Sequence, residues 1–106
     1  MELEKIYKQL KGIHLCESGY DFSEKYLGKS KSYFSVLKAR DGKPSIEALA
    51  MLEVSLREKA LVFDDDSYDI FRERRNQLLS LSDEIKRIRI SRCARRLKEL
   101  QYGAVM

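Results

Sequence analysis

A single proline and five glycines serve the whole chain, and neither residue occurs between Asp66 and Gln101. β-Rich folds turn often and draw on both residues to do it, so this scarcity favours helices. The 106 residues, 43% hydrophobic and 36% charged, suit one compact domain, or a domain of about sixty residues with an appended element. That apolar content excludes a wholly disordered chain. No stretch approaches the roughly 18 uninterrupted apolar residues of a membrane helix. The N-terminal MELEKIYKQLK lacks the apolar core of a secretory signal, which points to a cytoplasmic protein with no membrane partner. The expected class is all-α.

Apolar spacing sets out the helices. Leu3, Ile6, Tyr7 and Leu10 form one face of a first helix that Gly12 ends. GIHLCESGY reads as an irregular connection, with His14 and Cys16 as packing or surface residues. Asp21, with Glu24 three positions on, resembles a capping box for a short helix from Phe22 to about Leu27. Ser30 is placed to cap a third helix, Lys31 to about Arg40, with Phe34 and Leu37 inward. Asp41-Gly42 is a turn signal, and Pro44-Ser45 launches a fourth helix along Ile46, Leu49, Leu52 and Leu56.

Beyond Asp66 or Ser67, either of which would cap it, the chain becomes long and highly charged. Phe71, Leu78, Leu81, Ile85 and Ile88 fit a and d heptad positions, but the same register then places Arg92 and Arg95 at apolar sites. A second stripe, Ile90, Cys93, Leu97 and Leu100, is rotated away from the first. One helix with two packing faces, or a hairpin recapped at Ser80 or Ser82, both fit.

The net charge of +4 is unevenly spread. Residues 29–43 carry five cations and one anion; residues 86–98 carry seven cations and none. Two such runs in a short chain favour a polyanion, most simply nucleic acid. Asp64, Asp65 and Asp66 read as a solvated acidic loop. Cys16 and Cys93 stand near opposite ends of the chain and make no metal-ligand spacing. With one histidine and neither a nucleophile elbow nor a phosphate-binding loop, the sequence offers no catalytic site, no metal site and no cofactor.

Leu27-Gly28, then Ser30, Ser32, Phe34, Ser35 and Leu37, then Gly42 and Pro44-Ser45, then Ile46, Leu49, Leu52 and Leu56 follow one another in FSEKYLGKSKSYFSVLKARDGKPSIEALAMLEVSL. This ordered series resembles the helix-turn-helix family of Cro and lambda-type (XRE-like) repressors, over about residues 3–57. The resemblance implies a DNA-binding domain over residues 1–60, with helix 31–40 entering the major groove. It also implies a bacterial or phage-type transcriptional regulator, a repressor, acting on double-stranded DNA as a homodimer. The departures are one extra residue between Phe22 and Gly28, Gly19 and Tyr20 where a glutamine is common, and Lys38 where an acidic residue is frequent.

A groove-reading helix needs a polar outer face, which Lys31, Ser32, Ser35 and Lys38 supply. Lys31 and Ser32 are the choices for base-edge readout, and Lys29 and Lys43 for phosphate contacts. Ser30 is a cap first and a DNA contact second. Tyr33 either meets the groove or covers the core edge, and Tyr20 and Tyr26 are core or rim residues. Residues 61–106 form a helical extension whose Phe71, Leu78, Leu81, Ile85 and Ile88 are the expected dimer contacts. The run at 86–98 reads as a solvated face, a further phosphate contact or an RNA-binding helix. A protein-interaction adaptor on the same scaffold is the alternative function.

Overall fold

The computed structural model describes the backbone from Glu2 to Val105 and the side chains from Glu2 to Gln101. The described residues form five α-helices: α1 (Glu2–Gly12), α2 (Gly19–Asp21), α3 (Tyr33–Arg40), α4 (Ile46–Ala60) and α5 (Asp69–Val105). A π-helical turn, Phe22–Tyr26, continues α2, and a 3-10 turn, Leu61–Phe63, follows α4. The all-α class holds.

Helix α1 buries Leu3, Ile6 and Leu10 at the expected spacing. The second helix starts earlier than the Asp21 signal suggested. Its cap is Ser18, whose hydroxyl accepts the Asp21 N–H at 3.2 Å. Asp21 lies in the first turn, where its carboxylate reaches back past the cap to accept the Glu17 N–H at 3.1 Å and pairs with Lys25 at 2.9 Å. The hydrogen bond from Lys25 holds the Asp21 carboxyl below its ordinary pKa.

The extra residue between Phe22 and Gly28 falls in the π-helical turn. There the Leu27 N–H reaches back five residues to the Phe22 carbonyl at 3.1 Å, so one more residue fits than an α-turn would hold. Gly28 then takes φ +63, and a Cβ there would stand 3.0 Å from Met51 Cε.

Helix α3 also departs from expectation, starting at Tyr33 rather than Lys31. The Ser30 carbonyl accepts the Tyr33 N–H in a turn, so Lys31 and Ser32 precede the helix. Neither Ser30 nor Ser32 supplies a side-chain cap bond. Buried Ser23 does that work from a distance: its hydroxyl accepts the Phe34 N–H at 3.0 Å and donates to the Gly19 carbonyl at 2.9 Å. One hydroxyl thus fixes the start of α3 against α2. At the other end Asp41 takes the left-handed conformation, and the Gly42 N–H closes on the Leu37 carbonyl at 2.9 Å.

Helix α4 begins as Pro44-Ser45 predicts, the Ser45 hydroxyl accepting the Ala48 N–H at 3.1 Å. It packs along α5, which is one unbroken helix rather than a hairpin. Ser80 and Ser82 cap nothing, and the Ser82 hydroxyl instead donates to the Glu53 carbonyl at 3.0 Å across the two helices. Nor do Asp66 or Ser67 start α5, since Asp65 accepts the Ser67 N–H in a tight turn before it. A helix of 37 residues is about 55 Å long, close to the molecule's longest extent of 59 Å.

The expected dimer contacts are used within the chain. Leu78, Leu81 and Ile85 are no more than 3% exposed and belong to the same core as Leu3, Phe22, Leu49 and Leu52. Ile88 packs against that core, and Phe71 sits edge-on to Phe63 at 5.6 Å. Burying these side chains in the core removes their apolar surface from water without a partner. The same packing carries the core across the boundary drawn between residues 60 and 61; the last residue of that second segment, Met106, lies outside the described ones.

Candidate nucleic-acid interface

Helix α3 is anchored from one side. Phe34 is buried among Tyr7 and Phe22, with ring centroids 5.1 and 4.9 Å away, and Leu37 packs beside it. At roughly 100° per residue, the face opposite carries Ser32, Ser35, Val36 and Ala39, all exposed. Of the residues expected outward, Ser32 and Ser35 sit at the centre of that face. Lys31 stands exposed in the turn leading to it. Lys38 lies at the side, its ammonium 4.8 Å from the centroid of the Phe34 ring. The Ser35 hydroxyl folds back to donate to the Ser32 carbonyl at 2.9 Å.

Val36, Ala39 and Arg40 complete the surface and were missed. A small apolar residue gives no polarity signal, although a 3.6-residue count from Phe34 would have found the first two. Tyr20 joins it as a rim residue: it is 62% exposed and lines a cleft with Ser35 and Lys38. Tyr26 belongs to the core, its hydroxyl donating to the Leu15 carbonyl at 2.6 Å, and burial pushes its phenol up to about 12.

Two other expected contacts have internal duties. The Tyr33 hydroxyl accepts the Ser45 N–H at 3.0 Å, tying the first residue of α3 to the cap of α4. Lys29 pairs with Glu47 at 3.6 Å and sits 5.9 Å from the Tyr33 ring centroid. Tyr33 thus covers the core edge, and Lys29 carries a partly neutralised charge. Ser30 and Lys43 remain exposed.

The ion pairs divide the cations into two groups. Lys5, Lys8, Lys25, Lys29, Arg57, Arg75 and Arg89 each have a carboxylate within 4.0 Å. Among the described residues the other fourteen have none, and four of these, Lys31, Lys38, Arg40 and Lys43, stand on or beside α3. The inner arginine of α5 is well held: Arg89 Nε donates to Glu53 at 2.8 Å, and that hydrogen bond keeps the Glu53 carboxyl below its ordinary pKa despite burial. One turn on, the Arg92 guanidinium donates to the Pro44 carbonyl, bringing the second basic run to the turn between α3 and α4.

No group of three or more His, Cys, Asp or Glu among the described residues is placed to hold a metal ion. No described helix is long and apolar enough to cross a membrane. Comparison with curated proteins and with solved structures finds no match. A family pattern does match, over residues 3–99, and so takes in α1 through most of α5. The chain belongs to that family, a family of unknown function designated DUF6626.

Proposed function

We propose that this protein is a sequence-specific regulator of transcription, acting as a repressor, that binds double-stranded DNA through α3. The observation that carries this reading is the outer face of that helix. It is polar or small-apolar along its length and flanked by Lys31, Lys38, Arg40 and Lys43, none of which pairs with a carboxylate among the described residues. The major groove admits one α-helix, hydroxyls meet base edges there, and Val36 and Ala39 match thymine methyl groups. Lys43 and the Tyr20 hydroxyl suit phosphates on either side. The resemblance to Cro and lambda-type repressors supports the same assignment of α3.

The reading includes a homodimer, since two recognition helices about 34–36 Å apart reach successive half-sites. With Leu78, Leu81 and Ile85 internal, the large apolar side chains left exposed on α5 among the described residues are Ile70, Leu79, Ile90, Leu97 and Leu100, of which Ile90, Leu97 and Leu100 lie beyond the core. Selection from random duplexes tests the proposal. Binding enriches one motif, Lys31→Ala lowers preference at one position by about 1–3 kcal/mol, and Lys43→Ala weakens all duplexes alike. Absence of binding to any duplex at about 50 mM salt overturns it.

One observation favours a second reading, a protein-interaction adaptor. Met51 and Val54 on α4, with Leu61 and Val62 in the 3-10 turn that follows it, are exposed apolar residues. A partner docked there with α3 occluded would support that alternative.

A further inference from the structure

The inward face of α5 changes chemistry along its length. Leu78, Leu81, Ile85 and Ile88 face the core at a and d positions, and the same register continues with Arg92 and Arg95. The register that fails as a packing seam is therefore continuous in space. Beyond Ile88 the helix has run past the core, and its inward stripe overhangs the turn between α3 and α4. Arg92 ties it there by donating to the Pro44 carbonyl. Lys43, Ile46, Arg92, Arg95, Arg96 and Glu99 then enclose an open cavity of about 250 Å³.

Four cations share that cavity with one carboxylate, and among the described residues none of the four has an acidic group within 4.0 Å. Like charges gathered this way repel unless an anion joins them. A stripe that served packing alone would keep its leucines and isoleucines. Guanidinium groups present paired N–H donors that match two oxygens of one phosphate, which lysines do less well. Lys43, Arg92 and Arg95 also line the larger neighbouring cleft, which holds Glu2 and Asp41, so an anion is directed towards the Arg96 side.

We propose that Lys43, Arg92, Arg95 and Arg96 form a seat for the phosphate backbone of duplex DNA beside the groove that α3 enters. This rests on the DNA-binding reading of α3 and gives the second basic run a task within it. The seat positions the duplex and reads no bases.

The test uses the full chain and fluorescence anisotropy with a selected duplex and a scrambled one, over a range of salt. Arg95 and Arg96 are exposed and make no hydrogen bond or ion pair among the described residues, so Arg95→Ala/Arg96→Ala leaves the fold intact, as a thermal melt confirms. Each phosphate contact contributes about 0.9 to the slope of log affinity against log salt. The double variant therefore binds both duplexes roughly 10- to 60-fold more weakly near 0.1 M salt, with a slope smaller by about 1.8 and unchanged base preference. Unchanged affinity and slope, with Lys31→Ala still altering base preference, overturn the seat and leave the α3 reading standing. Weaker binding by the double variant with Lys31→Ala silent supports a phosphate contact at Arg95 and Arg96 but overturns its placement beside a groove filled by α3. No duplex binding by the wild-type chain, or tighter binding to single-stranded RNA of the same length, overturns both.

Discussion

Arg89→Met probes the grip that sets the course of α5. The Glu53 side chain is 7% exposed; one carboxylate oxygen accepts Arg89 Nε at 2.8 Å, and the other lies 3.3 Å from Arg57. Methionine keeps the apolar stem and deletes the charge, so the loss is electrostatic and leaves little cavity. At this distance two unit charges attract by about 6 kcal/mol at an effective dielectric of 20, much of it offset by desolvation. Stripping one partner from a fully buried pair costs about 3–5 kcal/mol. Here Arg57 stays in place and Arg89 is 29% exposed, which reduces the expected loss to about 2 kcal/mol. In a domain of this size that lowers Tm by about 8–16 °C.

Thermal unfolding followed by circular dichroism measures it, at neutral pH and then in acid. The folded Glu53 pKa is depressed, so its stabilisation is present above the unfolded value of about 4.3 and is lost as pH falls through the lower folded value. Wild-type and variant curves therefore converge in acid. A neutral-pH difference below about 2 °C, or a gap that widens in acid, would show that this pair does not hold α5.

Other perturbations address the parts that aim α3. Ser23→Ala leaves the buried Phe34 N–H without an acceptor and costs about 1–3 kcal/mol; hydrogen exchange should quicken first at Phe34, and unchanged exchange there contradicts the role given to Ser23. Gly28→Ala forces a left-handed alanine and displaces the flexible end of Met51, for a loss of about 1–2 kcal/mol in urea unfolding, and a neutral result would mean the turn can relax. Burial raises the Cys16 thiol to about 11, which lowers its thiolate fraction below that of a free cysteine at pH near 8. Alkylation of Cys16 should be slow in the native protein and fast in urea, and equal rates would contradict its burial.

Local signals in the sequence are legible where the structure also decides locally. Pro44-Ser45 marks the start of α4 because the Ser45 hydroxyl bonds within its own turn. The stripe of Leu3, Ile6 and Leu10 was equally plain. Misplaced starts occurred where the deciding bond comes from elsewhere. Ser23 serves Phe34 eleven residues on, so Ser30 carries a capping signal that the structure does not use. At α2, Asp21 looked like a cap because its role as the reach-back carboxylate has the same sequence appearance. The candidate surface was half legible. Polar residues on α3 announced themselves, whereas Val36 and Ala39 were silent, and Tyr33 and Lys29 had internal partners that spacing does not reveal. The meeting of the two basic runs depends on Arg92 reaching Pro44, forty-eight residues away, and no local pattern encodes that.

Mapping amide chemical shifts while a selected duplex is titrated into the protein tests the central claim most directly. Binding through α3 and the arginine seat predicts perturbations at residues 30–40, at Lys43 and at Arg92 to Arg96, with Met51, Val54 and Leu61 unmoved. Shifts confined to those three residues, or none at any ratio of DNA to protein, would contradict it.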